Sequence, residues 1–209
     1  MTKLLIIGAG GHGRVIADCA HASGQFSDIA FLDDGFPAYQ HNLHCPIIGK
    51  STNWRDYLTS HAFALAIGNN KIRLSLFKEL SQAKAKLPNI IHPSAIISPF
   101  ATLGQGNVVF ANSVINPAVT INNVCIINTA ATIDHDCQLA DAVHISPGVH
   151  LSGTVFVKEL SWFGVGSCSV QSITIAQNTQ IGAGAAVTKS TKANGLYVGV
   201  PAVRIKEIE

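Results

Sequence analysis

The sequence predicts a small parallel α/β unit followed by a long parallel β-solenoid, with domains at residues 1–90 and 91–209. Aliphatic residues recur at every sixth position from Ile91 to Val187, a period that belongs to stacked coils. Before Ile91, short apolar runs alternate with segments of helical pattern, which indicates a parallel sheet. Hydrophobic residues make up 47% of the 209 and charged residues 12%, a balance that suits a repetitive β core.

The six-residue repeat is interrupted once, at Ser169. A period of six is neither helical nor a simple alternation. It fits a coil with three short flat faces, each of which turns one aliphatic residue inward, so that stacked coils bury a continuous column. Eighteen residues then form one coil, and the run gives roughly five and a half coils. The series is Ile91, Ile97, Leu103, Val109, Ile115, Ile121, Ile127, Ile133, Leu139, Ile145, Leu151, Val157, Phe163, Ser169, Ile175, Ile181 and Val187.

The first unit carries a glycine-rich turn between a predicted strand, Lys3–Ile7, and a predicted helix, Arg14–Ser23. Glycines at 8, 10 and 13 match G-x-G-x-x-G, with Asp33 and Asp34 about 20 residues further on. Glycines there let backbone N–H groups approach a phosphate at a helix N-terminus. Further strands are predicted at Ile29–Leu32 and Ala62–Ile67, and a second helix at Ile72–Gln82.

This unit is too short for the two βαβαβ halves that hold a dinucleotide, so a mononucleotide such as a UDP-sugar suits it better. A glycine turn without any ligand is the alternative interpretation.

Several motifs together resemble a known family. They are Gly8-Ala9-Gly10-Gly11-His12-Gly13, Phe31-Leu32-Asp33-Asp34, Ala66-Ile67-Gly68-Asn69-Asn70 and the hexapeptide repeat. The chain resembles the bacterial sugar acetyltransferases of the hexapeptide-repeat family, which modify UDP-4-amino sugars, GDP-perosamine or sialic acid. It is most similar to the UDP-4-amino-sugar N-acetyltransferases of the bacillosamine pathway. The resemblance implies a Rossmann-like half-domain before a left-handed parallel β-helix, a homotrimer, and acetyl-CoA as the acetyl donor.

The resemblance also implies roles for individual residues. His135 would be the general base, and the following residue, Asp136, would raise its basicity. His144 would contact acetyl-CoA. Backbone contacts to acetyl-CoA would fall at Val165 and Ala183, one coil apart. Contacts to the nucleotide sugar would fall at Gly10, Gly11, His12, Asp33, Asp34 and Gly68.

The chain departs from the family at a few positions. Relatives often have glutamate where this chain has Asp136, and some have serine where it has Gly10. The closing segment, residues 197–204, also resembles the family's tail, where a lysine often replaces Arg204 or its neighbour. A cap over the end of the solenoid explains this segment as well as a cofactor contact does.

The residues around His135 fit acetyl transfer to an amine. A sugar amine in water is mostly protonated, so a base must remove a proton, and imidazole has a pKa near ~6.5. Asp134 and Asp136 flank His135, and either could stabilise the imidazolium. His135 lies two positions after the inward Ile133, so it is expected to face outward. No serine or cysteine lies beside a base in a nucleophile motif, so we expect direct transfer without an acetyl-enzyme.

His135 and His144 are nine residues apart, which is half of an eighteen-residue coil. They are therefore expected on opposite sides of one triangular cross-section, where a single chain cannot place both beside one acetyl group. A neighbouring subunit can do so, which predicts an active site shared between subunits. That there are three subunits is implied by the resemblance to the family.

Other functions are disfavoured by composition. The net charge of +2 indicates no nucleic-acid footprint, and no apolar run is long enough to span a membrane. Five scattered cysteines without a CxxC pair, and histidines without metal spacing, indicate reduced thiols, a cytoplasmic location and no metal site. Three alternatives remain open: O-acetylation of a sialic acid or another sugar, a dinucleotide-binding regulatory protein, and a scaffold without catalysis.

Overall fold

The computed structural model describes residues 2–208. The chain forms two compact units, Met1–Pro93 and Ser94–Glu209. The second unit begins within the first hexapeptides of the repeat.

The first unit is built around a five-stranded sheet in the order β3-β4-β2-β1-β5, in which only the β3–β4 pair is antiparallel. The predicted strands and helices are present, with ends that differ by a few residues. The sequence did not predict the hairpin of β3 and β4 or a 3-10 helix at Ser51–Tyr57, because elements this short show no periodicity. The elements are β1 (Thr2–Ile7), α1 (Gly11–Ser23), β2 (Phe26–Leu32), β3 (His41–Asn42), β4 (Cys45–Gly49), β5 (His61–Leu65), α2 (Asn70–Gln82) and β6 (Ile90–Ile91).

Two glycines close the turn between β1 and α1. Gly8 has φ +106°, and a Cβ there would lie 2.8 Å from the carbonyl oxygen of Ala66. A Cβ on Gly13 would lie 2.2 Å from the carbonyl oxygen of Gly8. Only glycine fits either position, so these two residues serve the packing of strand and helix, as the first and third glycines of the motif do.

The second unit is a parallel β-helix whose strands are two residues long. From β7 to β22, paired strands lie eighteen residues apart, so Ile115 lies beside Ile133 and Ile121 beside Leu139. The strand β21 then pairs with β23, where Ile181 lies beside Tyr197. Three sheets result, in the orders β7-β10-β13-β16-β19-β22, β8-β11-β14-β17-β20 and β9-β12-β15-β18-β21-β23-β24. The strands are β7 (Ile96–Ile97), β8 (Thr102–Leu103), β9 (Val108–Val109), β10 (Val114–Ile115), β11 (Thr120–Ile121), β12 (Ile126–Ile127), β13 (Thr132–Ile133), β14 (Gln138–Leu139), β15 (His144–Ile145), β16 (His150–Leu151), β17 (Phe156–Val157), β18 (Trp162–Phe163), β19 (Cys168–Ser169), β20 (Thr174–Ile175), β21 (Gln180–Ile181), β22 (Ala186–Val187), β23 (Gly195–Val198) and β24 (Val203–Glu207).

The residues of the six-residue series form the core of the helix. From Val109 onward they are buried, whereas Ile97 and Leu103 at the start remain half-buried. Ser169 is inside the column with an exposure of 6%, and its Oγ has no hydrogen-bond partner among residues 2–208. The polar interruption seen in the sequence is therefore a buried hydroxyl, which costs free energy.

A residue with positive φ occurs at every sixth position, in the turn after each strand. Only some of these residues are glycine, and Val124 at φ 48° is a β-branched side chain in a strained conformation. The geometry of the coil therefore imposes the left-handed conformation whatever residue is present. The positions are Gly106, Asn112, Ala118, Val124, Ala130, Asp136, Ala142, Gly148, Thr154, Leu160, Gly166, Ser172, Asn178 and Gly184.

The antiparallel strands β23 and β24 follow the last coil. Tyr197 pairs with Ile181 and extends the inner column, and its hydroxyl accepts the Lys192 N–H at 2.7 Å. Arg204 lies in the exposed strand β24, where its Nη2 donates to the Asn194 carbonyl at 3.3 Å. Among residues 2–208, neither helix has the length and apolar character that crossing a membrane requires.

Candidate active site

His135 lies in the turn after β13, and its ring is paired with the side chain of Asp136. Nδ1 of His135 is 2.7 Å from Oδ2 of Asp136, and both side chains are 58% exposed. The hydrogen bond to Asp136, followed by the charge of Asp134, raises the pKa of His135. A ring held through Nδ1 keeps Nε2 available as a proton acceptor, as a general base requires.

Asp134 has a different role from Asp136. Its Oδ1 accepts the backbone N–H of His135 at 2.8 Å and the amide of Asn116, one coil earlier, also at 2.8 Å. These two hydrogen bonds, the first of them the stronger cause, lower the pKa of Asp134. The sequence left open which acid serves His135. In the structure, Asp134 accepts a hydrogen bond from the backbone N–H of His135, and Asp136 is hydrogen-bonded to its ring.

Gly153 lies directly against the ring of His135, one coil further along. A Cβ built on Gly153 would be 2.6 Å from Cε1 and 2.7 Å from Nε2 of His135. The Thr154 N–H also donates to the carbonyl of His135 at 2.9 Å. Sequence reasoning missed Gly153, although its separation of eighteen residues from His135 was an available signal.

His144 lies in β15, where its ring stacks on that of Trp162. The ring centroids are 5.7 Å apart with an interplanar angle of 19°, because the two residues pair across neighbouring strands. Nε1 of Trp162 donates to Oγ of Ser146 at 2.8 Å, which holds the indole in place. Trp162 is 42% exposed, so the stack faces outward. This contact was not predicted from the sequence.

Val165 and Ala183 lie in the turns after β18 and β21 and are exposed. The Val165 carbonyl accepts the N–H of Gly184 at 2.9 Å, which ties the two turns together. Within residues 2–208, the backbone N–H groups of Val165 and Ala183 donate to no other group. Two free donors on successive coils fit the amide carbonyls of an extended acyl carrier such as coenzyme A.

His135 and His144 are not brought together within one chain. His135 follows the strand β13, which belongs to the sheet of β7 and β22, whereas His144 belongs to the sheet of β9 and β21. The spacing of half a coil therefore places them on different faces of the helix.

In the first unit, the carboxylate of Asp33 supports the glycine loop. Its Oδ2 accepts the N–H of Ala9 at 2.7 Å, and its Oδ1 accepts the N–H of Gly35 at 2.9 Å. The buried side chain of Asn42 donates to the carbonyl of Ala9 at 2.5 Å. Asp33 and Asn42 thus bind the N–H and the carbonyl of Ala9 and stabilise the glycine loop. This structural role was not predicted from the sequence for either residue.

Asp34 accepts hydrogen bonds from both the N–H and the hydroxyl of Ser51. Gly8, Asp33 and Asp34 line a cavity of about 450 Å³, a size that suits a nucleoside. Gly10 and Gly11 have open space around the position of a Cβ, so a ligand can approach their backbone. The other residues that line the cavity are Ile7, Ser51, Thr52, Trp54, Arg55, Ile67, Ile72, Ser75, Leu76 and Glu79.

His12 is electrically neutral in this site. Burial, and then the nearby charge of Arg73, lowers the pKa of His12 to about 4. Arg73 is itself buried and donates to the carbonyl of Ile67 at 2.8 Å and, at 3.4 Å, to that of Gly68. The low pKa makes His12 a neutral ring near neutral pH, and the buried guanidinium of Arg73 binds the backbone at Ile67 and Gly68.

Among residues 2–208, histidine, cysteine and carboxylate side chains form no cluster of three or more that could hold a metal ion.

Comparison with known proteins places this fold in a defined class, the acetyltransferases that act on sugars. Residues 3–80 match the family model described as the PglD N-terminal domain. The acetyltransferase domain of PglB from Neisseria gonorrhoeae is 39% identical, with a TM-score of 0.94, and the match covers 98% of this chain and 100% of that domain. PerB from Caulobacter crescentus, solved with CoA and GDP-perosamine, is 33% identical with a TM-score of 0.90, covering 99% of this chain and 98% of that one.

The chain belongs to the family of PglB and PerB, and the Rossmann-like unit followed by a left-handed parallel β-helix is confirmed. A curated relative, the UDP-N-acetylbacillosamine N-acetyltransferase of Bacillus subtilis, is 36% identical over 113 residues, which are 53% of this chain and 52% of that protein. The chain spans about half or less of the length of the curated relatives that it matches.

Proposed function

We propose that this protein transfers the acetyl group of acetyl-CoA to an amino group of a nucleotide-linked sugar, of the UDP-4-amino-4,6-dideoxy type. The observation that carries the proposal is the exposed His135 ring, held through Nδ1 by Asp136 at 2.7 Å. This pair supplies a base of raised pKa in a turn of a β-helix whose relatives are acetyltransferases. The relatives further support the donor, since the PglB domain was also solved with acetyl coenzyme A.

The chemistry requires one proton acceptor and no covalent intermediate on the enzyme. The amine nitrogen attacks the thioester carbonyl carbon while Nε2 of His135 removes a proton from nitrogen. The C–S bond then breaks, and the proton on His135 passes to the departing CoA thiolate. Asp136 favours the imidazolium during this step, and Asp134 keeps the backbone of His135 in place. The Caulobacter crescentus enzyme has also been solved with one histidine replaced by asparagine or by alanine, in complex with CoA and GDP-perosamine.

The donor would bind along His144, Val165 and Ala183. The stacked rings of His144 and Trp162 offer an apolar surface beside the two free N–H groups of Val165 and Ala183. These groups match the alternation of amides and methylenes in the pantetheine arm of CoA.

The nucleotide sugar would bind in the first unit, with its nucleoside in the cavity beside Asp33 and Asp34. Gly10, Gly11, His12 and Gly68 do not line this cavity, so the contacts proposed for them would be made by the part of the ligand that extends beyond it. A pyrophosphate there would receive N–H groups from the N-terminus of α1. Both carboxylate oxygens of Asp33 accept backbone N–H groups, whereas the two hydrogen bonds from Ser51 go to Oδ1 of Asp34 alone, so Oδ2 of Asp34 is the better candidate for a contact with the nucleoside.

The positions of the two histidines on different sheets favour a site shared between subunits, and the family resemblance supplies the homotrimer. If His135 of one subunit works beside His144 of the next, chains inactivated at His135 and chains inactivated at His144 should complement each other when mixed. Some mixed trimers would then regain one intact site, and activity should return. No recovery, with mixed trimers verified by mass, would mean that each chain supplies both histidines to one site.

O-acetylation of a sugar hydroxyl is the second candidate, because the same base could serve it. The names of the relatives favour the amine. A panel of UDP-, GDP- and CMP-linked sugars, each offered as amine and as hydroxyl with acetyl-CoA, tests the proposal directly. We expect turnover with a UDP-4-amino sugar, whereas turnover of hydroxyl sugars alone would contradict it.

A further inference from the structure

We propose that Gly153 is a positioning residue for His135, and that its lack of a side chain is what lets the imidazole take its active orientation. The inference rests on the proposed function, in which His135 is the base. Its structural basis is independent of that function, because it concerns only the contact between two coils.

The contact is close. A Cβ at Gly153 would lie 2.6 Å from Cε1 and 2.7 Å from Nε2 of His135, and 3.2 Å from Nδ1. Cβ atoms essentially never approach a non-bonded atom within 3 Å, so a side chain at 153 requires the exposed ring of His135 to shift. Gly153 is buried, although it lies in a turn next to the half-exposed Ser152 and Thr154.

The turn itself does not require glycine at this position. The equivalent positions of the neighbouring coils, at steps of eighteen residues, hold Pro99, Pro117, His135 and Gln171, all of which carry a Cβ. Gly153 does not have a positive φ, so alanine can adopt the backbone conformation of this position without strain. The remaining reason for glycine at 153 is the ring of His135.

Displacing the ring has a defined chemical consequence. Nδ1 of His135 is held at 2.7 Å from Asp136, and this hydrogen bond is the main cause of the raised pKa of His135. We expect a ring that moves away from residue 153 to lose either this hydrogen bond or the present direction of Nε2. Gly153→Ala should therefore both lower the basicity of His135 and move its ring out of position.

The test compares Gly153→Ala with Gln171→Ala, which places the same side chain at the same turn position one coil further. We expect Gly153→Ala to lower kcat by about 10²-fold, as misplacement of a catalytic group by ~1 Å does, with little change in the KM for acetyl-CoA. Gln171→Ala should have the kcat of the wild type. In NMR titrations of labelled histidine, the pKa of His135 should fall in Gly153→Ala and stay unchanged in Gln171→Ala.

A double-mutant cycle isolates the contact. In the His135→Ala background the ring is gone, so Gly153→Ala should cause no further loss of kcat. If Gly153→Ala does not fold, the double variant should fold, because the clash has been removed. A double variant that also fails to fold would show that the coil itself needs glycine, and would overturn the proposal.

Normal kcat together with an unchanged pKa of His135 in Gly153→Ala would also overturn it. A His135→Ala enzyme with normal kcat would instead refute the proposed function, while the pKa of His135 in Gly153→Ala would still show whether the two residues are coupled.

Discussion

Asp136 contacts the ring of His135 from a left-handed backbone conformation, with φ 61° and 2.7 Å between Oδ2 and Nδ1. Aspartate tolerates this region better than most residues. The turn directs the short side chain of Asp136 back onto its predecessor, so the carboxylate reaches the imidazole.

Replacing His135 with alanine is expected to lower kcat by about 10²–10⁴-fold, the usual loss when a general base is removed. Binding of acetyl-CoA should persist, because its proposed contacts are His144 and the backbone of Val165 and Ala183. Steady-state kinetics and calorimetric titration with CoA measure the two effects separately. Near-normal kcat would mean that the substrate or water supplies the base.

Asp136→Asn is expected to shift the pH profile of kcat/KM while costing less activity than loss of His135. The carboxylate raises the pKa of His135, so the wild-type enzyme gains activity as pH rises through that raised value. Without the carboxylate the pKa falls, and the rise in activity moves to lower pH. A second rise at higher pH, from the sugar amine, should remain in place.

The matched control for this shift is Asp56→Asn, which removes an exposed carboxylate of the first unit that accepts a hydrogen bond from Asn53. A profile that does not move in Asp136→Asn, or that moves equally in both variants, would contradict the role given to Asp136.

Ser169→Ala is expected to stabilise the protein by about 1 kcal/mol, because it removes a buried hydroxyl without a partner. Ser167→Ala is the control: Ser167 is also buried, but its Oγ donates to the carbonyl of Gly164 at 2.7 Å. That variant should lose stability by a similar amount. Denaturant midpoints of the two variants should move in opposite directions, and a shift of both in the same direction would refute the argument.

Acetyl-CoA is expected to change the fluorescence of Trp162, because the indole stacks on the proposed donor contact His144. The chain has one other tryptophan, Trp54, which is buried in the first unit. Titration with CoA should therefore give a signal that disappears in Trp162→Phe. A signal that survives in this variant would place the donor elsewhere.

Asp34→Ala is expected to raise the KM for the nucleotide sugar and leave the KM for acetyl-CoA unchanged. Asp33→Ala should also lower the melting temperature, because it frees the N–H groups of Ala9 and Gly35 from their acceptor. Kinetics with both substrates and thermal unfolding distinguish the two acids. Equal effects of the two substitutions on stability would contradict the separate roles seen in the structure.

The sequence was most informative about repeated features. The column from Val109 to Val187 is buried as the six-residue period predicts, because one inward residue per face is a rule that every coil repeats. The glycine motif likewise predicted the turn between β1 and α1. The hairpin of β3 and β4 was not predicted, and with it Asn42, which supports the glycine loop from a strand of two residues.

For the site, the sequence by itself determined that His135 faces outward, that acids flank it, and that half a coil separates it from His144. These properties follow from counting along the chain, because the coil has a fixed length. Only the tertiary structure decided that Asp134 binds the backbone and Asp136 the ring, that Trp162 stacks on His144, and that Gly153 makes room for the imidazole. Each of these relationships depends on the direction of a side chain or on contact between coils, and neither is encoded in the period of the repeat.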